Sequence, residues 1–379
     1  MKRLTLIILL ILFFFTGCTK TDDKTVLKFS SWGSQSEIEI LKPIISEFER
    51  KNPNVKIEFM HIPQNYFQKL HLLLASNLAP DVIFINNLNL PVYADFLEDL
   101  SSDIDEKMFF VQTLQALSFD NRLLAIPRDA SNLVIYYNKD LFKKYNIEIP
   151  QKDWDFNTLL KIGLEFKKYD IFGISFEESP LFYLPYLMSC GGGILDDDLK
   201  TVIINSSQSQ SGLKFYSDLR NKYNIAPKKS QSASATMAQL FLQQKLAMHL
   251  SGRWLVPKYR ESASFDWDII NFPKGSLNSV VQMDASGWAV YKNSKNKDLA
   301  IKFVQYLASK ENIAKMTKSG LITPARIDVA NSEYFLSGKP NSSKIFLDVI
   351  KTSKPTPVSK DYREMTDDLS KSLESLFNN

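Results

Sequence analysis

Val82-Ile83-Phe84-Ile85 is a run of four large apolar residues, with Pro80-Asp81 before it and Asn86-Asn87 after it. A continuous run of this kind occurs where a parallel strand is covered on both faces. The segments before it repeat the theme. Val26 to Ser30 reads as a short strand, and Ser36 with Glu39 three residues on offers a capping box for a helix running to about Lys51. Ile38, Leu41, Ile45 and Phe48 form the apolar face of that helix; Pro43 predicts a kink or a late start within it, and Pro53 stops it. Val55, Ile57 and Phe59 then alternate with Lys56 and Glu58, a half-buried strand, and Tyr66 to Leu78 has helical spacing. Strands alternating with helices argue for βαβ units and an α/β fold.

The rest of the chain continues in this style. Leu123 to Pro127 and Leu133 to Tyr137 read as strands, Lys139 to Tyr145 as a short helix and Trp154 to Lys168 as a longer one. Ser206 to Asn224 follows as a helix, then Pro227 to Thr236 as a loop without large apolar residues. Beyond it come a helix at about Met237 to Lys245 and strands at Leu246 to Leu250, Trp267 to Phe272 and Trp288 to Tyr291. Leu299 to Leu307, Ile313 to Lys318 and Tyr362 to Phe377 are helical. A chain of 379 residues exceeds the roughly 100–200 of an ordinary domain, yet no break in composition separates two sequential domains. Two lobes with several chain crossings satisfy both observations.

Composition narrows the function. Hydrophobic residues at 44% and charged residues at 23% exclude a disordered chain. Lys and Arg exceed Asp and Glu by only 4, spread evenly, which argues against nucleic acid as a partner. With 3 His and 2 Cys there are too few soft ligands for a zinc site or a disulfide framework, while carboxylate-bound calcium stays open. The acidic run Asp196-Asp197-Asp198 reads as a solvated turn, so neither a metal nor a cofactor is expected.

At the N-terminus, Lys2 and Arg3 precede the apolar run Leu4 to Phe15, and Thr16-Gly17-Cys18 follows at once. The run is short for a transmembrane helix, which needs about 20 apolar residues, and fits a signal-peptide core. A cysteine directly after two small residues resembles the bacterial lipobox, although Phe15 stands where Leu is usual. The resemblance implies a leader over 1–17, a lipidated Cys18 at the mature N-terminus and a polar tether over 18–24; ordinary signal cleavage is the other reading. Loss of Lys2 and Arg3 with the leader would leave a charge of about +2, and lipidation would leave Cys190 without an intrachain partner. Either way the chain is expected to be exported and to reside in the cell envelope.

A set of local signatures then recurs in a familiar order. They are Trp32-Gly33 after the first strand; Phe48-Glu49-Arg50-Lys51-Asn52-Pro53-Asn54-Val55; Ala79-Pro80-Asp81-Val82; Ile126-Pro127; and Tyr136-Tyr137-Asn138-Lys139-Asp140-Leu141-Phe142. Gly191-Gly192-Gly193, Lys245-Leu246-Ala247-Met248, Ser251-Gly252-Arg253-Trp254, Ala285-Ser286-Gly287-Trp288 and Pro324-Ala325-Arg326 complete it. In this order, over almost all of residues 26–379, the chain resembles the extracellular solute-binding proteins of bacterial ABC importers, in the carbohydrate-binding family that includes maltose-binding protein. The resemblance implies a periplasmic-binding-protein-like fold of two α/β lobes with a hinge and a ligand cleft between them. One lobe would be 25–131 plus 285–327 and the other 132–284 plus 328–379, with hinges near Asp129 to Leu133, Met283 to Ser286 and Arg326 to Val329. It further implies a carbohydrate ligand, an importer's membrane subunits as partners and a monomeric chain.

Sugars present apolar C–H faces and a rim of hydroxyls, so their sites want flat aromatics with carboxylates, amides and Arg nearby. Trp32 after the first strand, and Asn86 and Asn87 after the buried run, lie at carboxyl edges of strands, where open α/β sheets hold ligands. Packing or a plain turn is the alternative for each. Asn65 is a weaker candidate because it is also a natural N-cap. Asp129 and Ser131 lie at the first implied crossing; Asp284, Gly287 and Trp288 at the second, with Asp284 a hydroxyl acceptor and Gly287 allowing close backbone approach. Arg326 at the third would contact ligand or tie the lobes. Phe182, Tyr183 and Tyr186 fall where relatives of maltose-binding protein place stacking aromatics. Trp254 matches the family's tryptophan after a small-residue turn and is the strongest candidate, with Arg253 beside it able to donate in a fork. His61, His71 and His249 show no catalytic spacing, and no nucleophile elbow or phosphate loop occurs, so an enzyme is not expected. A binder of glycerol phosphate or another small solute is the nearer rival, and a secreted glycosidase a remote third.

Overall fold

The computed structural model describes residues 24–197, 199–232 and 235–378; the leader, Cys18 and nearly all of the tether lie outside them. Strand β1 (Thr25–Ser31) leads into helix α1 (Gln35–Lys51), then β2 (Val55–His61), α2 (Tyr66–Ala75) and β3 (Val82–Asn86). β2 and β3 both lie parallel to β1, with Leu27 opposite Ile57 and Ser30 opposite Ile83. The apolar run of β3 is fully buried, as its lack of alternation predicts.

Helix α1 departs from expectation in two respects. Its cap is Ser34, whose hydroxyl accepts from the Glu37 N–H, not Ser36, and it runs through Pro43. Proline removes one helical donor, but Pro43 and the Glu39 carbonyl it would have bonded lie on an exposed stretch where water can serve.

The two strands expected around residues 123–137 are one, β4 (Ile126–Asn138), and this strand organises the molecule. After it come α3 (Phe156–Lys167), β5 (Phe172–Ile174), α4 (Pro180–Ser189), α5 (Ser207–Asn221), β6 (Leu246–Gly252), β7 (Trp267–Ile270) and β8 (Gln282–Val290). Helix α4, unbroken by Pro185, was not anticipated from spacing. The first half of β4 pairs antiparallel with β8, Ser131 opposite Asp284; the second half pairs with β6 on one side and β7 on the other, Leu133 opposite Gly252 and Tyr136 opposite Ile269. The sheet order is therefore β2-β1-β3-β8-β4-β6-β5.

Two lobes hang from this sheet. In one, Phe29, Phe48, Phe84 and Trp288 pack with Phe303, Val304 and Leu307 of α6 (Lys297–Leu307). In the other, α3, α4 and α5 bury Leu159, Phe166, Tyr186 and Tyr216 against Ile174 and Met248. A third cluster, with Ala130, Val134, Tyr136 and Met283, fills the region where the chain crosses, under Phe346 of α7 (Lys344–Thr352).

The last helix, α8 (Tyr362–Phe377), matches its expected span and is fastened to the second lobe by Arg220 of α5. That buried guanidinium donates to Glu178, to the carbonyls of Pro227 and Phe377 and to Asn378 at 2.9–3.2 Å, and lies 3.7 Å over the Phe176 ring. Removing one partner of a buried pair strands the other. Arg220→Met is expected to lower the unfolding free energy by about 3 kcal/mol, read from the denaturant midpoint; a midpoint unchanged from wild type would show that α8 is held by apolar packing alone.

Candidate ligand-binding site

The pairing register sets a row of side chains across the sheet where the lobes meet. Trp32 follows the end of β1; Asn86 ends β3 and stands opposite Ser286 of β8; Ser286 stands opposite Asp129, and Asp284 opposite Ser131 of β4. Leu133, two residues on, stands opposite Gly252, after which a short turn carries Trp254. Trp32, Asn86, Ser131, Asp284, Ser286 and Trp254 are all partly exposed along this row.

Trp32 is wedged among Tyr66, Phe67 and Phe84, with ring centroids 4.3–5.4 Å apart, so packing and an open face coexist there. Trp254 is 36% exposed, the largest aromatic exposure in the row. Its ring folds back so tightly that a Cβ on Gly252 would lie 1.8 Å from it, which explains the small residue in this turn. Phe182, in the first turn of α4, is half-buried on the same lobe.

Asp284 is the polar centre. Its Oδ1 accepts from Asn87 Nδ2 at 3.1 Å and from the Thr356 hydroxyl at 2.7 Å. Asn87 in turn accepts from the Ala285 N–H at 3.0 Å, which accounts for its burial. Three chain segments thus meet on one carboxylate. Burial pushes the Asp284 carboxyl upward, opposed by these two hydrogen bonds, and its charge acts on the Tyr362 hydroxyl of α8. Thr356 and Tyr362 carry no sequence signal for this position; only the crossing of the chain brings them here. Beside the cluster a cavity of about 580 Å³ lies between Gln115 and Phe119 of the first lobe and Asp197, Lys354 and Thr356. Of the predicted ligand residues it contains Asn87 alone.

Several predicted residues stand elsewhere. Trp288 is buried against Phe84 in the core of the first lobe, and Gly287 is needed because a Cβ there would meet the Ile126 carbonyl oxygen at 2.3 Å, not because a ligand approaches. Tyr183 and Tyr186, three residues apart and so on one face of α4, are buried in the core of the second lobe with Tyr216, whereas Phe182 is half-buried. Arg253 is 3% exposed with no hydrogen-bond acceptor on its guanidinium; it lies 4.0 Å over Phe335 and 5.4 Å from the Phe346 ring centre, and burial brings its pKa down to about 10. It is directed beneath the turn that carries Trp254, not into the cleft. Arg326 pairs with Asp328 in a fork at 3.0 Å. Asn65 occupies the N-cap of α2 with a positive φ but makes no side-chain cap bond and is exposed.

Asp129 is engaged by Arg128, which also bonds Glu37 and lies 4.2 Å over the Phe84 ring. This ion triad sits at the first lobe's end of the row. Asn86 accepts from Asn89 N–H and Nδ2, forming its own turn. Ser131 remains free to face the cleft. Among the described residues, no group of three or more His, Cys, Asp or Glu side chains could hold a metal ion, and no helix is long and apolar enough to cross a membrane.

This is the architecture of a two-lobe binding protein, with strands shared between the lobes and a polar row between aromatic flanks. The chain belongs to the bacterial extracellular solute-binding protein family, whose profile matches residues 32–314. A Listeria monocytogenes ABC substrate-binding protein solved in complex with cycloalternan is 26% identical with a TM-score of 0.85, covering 94% of each chain. A maltose-bound T. maritima MalE3 is 20% identical with a TM-score of 0.80, covering 93% of this chain and 94% of that one. The galactooligosaccharide-binding protein of Bacillus subtilis is 22% identical over 344 residues, 86% of this chain and 79% of its own length.

Asp284→Asn keeps an oxygen for both Asn87 and Thr356 and removes the half-buried charge. Because the native carboxyl titrates above its unfolded value, the charge costs stability at neutral pH and that cost disappears as pH falls through the native value. The variant is expected to melt no lower than wild type at pH 7, with any advantage shrinking toward pH 4; a lower melting temperature at pH 7 would show that the charge itself holds the hinge.

Proposed function

We propose that this chain captures a sugar or oligosaccharide between its lobes by hinge closure and delivers it to the membrane subunits of an ABC importer. The observation that carries the reading is the row itself: hydroxyls and a carboxylate on strands shared by both lobes, flanked by the exposed faces of Trp32 and Trp254. Asp284 Oδ2 makes no protein hydrogen bond in that row, so it can accept from a sugar hydroxyl while Oδ1 holds the hinge. The carbohydrates named for the similar proteins support the class of ligand, and a family of binding proteins fits a chain without a catalytic role.

The lobes are inferred to be 25–131 with 285–327 and 132–284 with 328–379. The change of partners along β4 at Asn132 to Leu133 supports that division. Ligand bridging the row would favour the closed population in proportion to its differential affinity for that state. Cys18 is proposed as a lipid anchor that keeps the domain outside the cytoplasm, as a monomer, within reach of the importer.

Thermal unfolding of the chain from Thr19 onward, with a panel of oligosaccharides, glycerol phosphates and other small solutes, tests the ligand class. A bound sugar at about 100 times its Kd adds roughly 2.7 kcal/mol. Trp254→Ala is expected to weaken that sugar by roughly 2 kcal/mol, about 30-fold, by calorimetry; stabilisation by a phosphate ester alone would replace carbohydrate with an anionic ligand. For the anchor, Cys18→Ser is expected to move the protein from the membrane fraction into the released fraction, and its retention on membranes would exclude lipidation there.

A further inference from the structure

A cavity of about 540 Å³ opens in the second lobe, and none of the predicted ligand residues lines it. Its floor is Tyr137 of β4, Ile270 at the end of β7, Ile149, Phe272 and Val281. Its remaining wall is one face of α7, where Ile345, Asp348, Val349 and Thr352 follow the i, i+3, i+4, i+7 spacing of a helical stripe. A concave space of this size with an apolar lining and few polar groups is the form a small-molecule site takes.

Tyr137 supplies the polar handle. It is 9% exposed, and among the described residues no group hydrogen-bonds its hydroxyl. Burial, and after it the charges of Asp268 and Asp266, push that hydroxyl up to about 12, so at neutral pH it keeps its proton and can donate. A buried hydroxyl without a partner costs free energy that a ligand acceptor restores. The other polar side chains of the lining are engaged within the protein: Asn271 and Ser279 donate to the Phe272 carbonyl, and Ser342 to Asp268. The charged lining residues are Lys152 and Lys274 against Asp153 and Asp348, with Lys274 paired to Asp153 at 3.0 Å, so the cavity carries no net charge. A sugar's hydroxyls would find few partners here. The complementary molecule is uncharged and largely apolar, with one acceptor for Tyr137.

Helix α7 joins this cavity to the crossing region. Its opposite face, Phe346, Leu347 and Ile350, is 0–4% exposed and packs in the crossing cluster. The Phe346 carbonyl accepts from Asn132 Nδ2 at 2.8 Å, at the position where β4 exchanges β8 for β6. The Phe346 ring centre lies 5.4 Å from the Arg253 guanidinium, beneath the turn that carries Trp254. We propose that the cavity is an effector site for an uncharged, largely apolar small molecule that accepts a hydrogen bond from Tyr137, and that its occupation braces α7 and the Trp254 turn so that the sugar is bound more tightly. A ring held in advance loses less freedom when a ligand stacks on it. The site stands on the cavity alone; its effect on the sugar rests on the carbohydrate reading of the cleft.

Two measurements on the chain from Thr19 onward test it, with 2-naphthol as the probe, an uncharged aromatic alcohol whose oxygen can accept. In the first, fluorescence titration is expected to show saturable binding of one 2-naphthol per chain, about fivefold weaker in Tyr137→Phe, the loss of one neutral hydrogen bond, and abolished in Ile345→Trp, which fills the cavity. Asn278→Trp, at an exposed position of the same lining, serves if Ile345→Trp does not fold. No saturable binding to the wild type, or binding unchanged in the filled variant, overturns the site. In the second, calorimetry with maltotriose, or with the sugar of the panel that binds, is expected to give a Kd about fivefold lower when 2-naphthol is saturating, and linkage requires the sugar to tighten 2-naphthol by the same factor. A sugar Kd that is unchanged or raised overturns the effector role. If no sugar of the panel binds, the carbohydrate reading fails, and the 2-naphthol titration still decides the cavity.

Discussion

The molecule depends on the pairing of β4 with β8. These two antiparallel strands lie at the middle of the main sheet, β8 pairing with β3 on its other side and β4 with β6 and β7. A pair of extended strands is a stiff tie along its length and a compliant one about its axis. Lobes joined in this way can rotate without breaking the ladder, which is the mechanical requirement for closing on a ligand. The Asn87–Asp284–Thr356 junction lies on the same strands and binds the first lobe, β8 and the last crossing segment to one carboxylate. The proposed hinge and the proposed binding surface therefore share these strands.

The chemistry of the cleft follows from where the register leaves side chains half-exposed. Positions facing into either lobe are filled by Trp288, Met283 and Ala285, whereas Ser131, Asp284 and Ser286 emerge between the lobes. At the flanks, aromatic rings are braced from behind: Trp32 by Tyr66 and Phe84, and Trp254 by its fold over Gly252 with the Arg253 guanidinium stacked on Phe335 beneath the turn. A braced ring loses little entropy when a ligand stacks on it. An Arg without acceptors, held by two rings, is costly to bury, and its place under the Trp254 turn ties that turn to the segment after the third crossing.

Much of this was legible in one dimension. The continuous run of β3, the alternation in β2 and the spacing of α8 each match the observed element, because each is set by local periodicity against a core face. The ordered signatures pointed to the family. Reading failed where local signals conflict with long-range pairing: Pro127, Asp129 and Ser131 break the apolar pattern of β4, so it read as two strands, and Pro43 argued for a break in α1 that an exposed carbonyl makes tolerable. Of the expected site residues, Trp32, Ser131, Trp254 and Asp284 lie partly exposed along the row, whereas Trp288, Gly287, Tyr183 and Arg253 turn into the protein.

The sequence by itself determined the fold class, the order of elements and the neighbourhoods in which a ligand could be held, since these follow from periodicity, caps and short motifs carried by adjacent residues. Only the tertiary structure decided which side chain of each neighbourhood faces the cleft, and that Thr356 and Tyr362 join Asp284. The physical reason is that a strand turns successive residues to opposite faces, so a single position separates a core residue from a cleft residue, and the choice rests on partners more than seventy residues away in sequence.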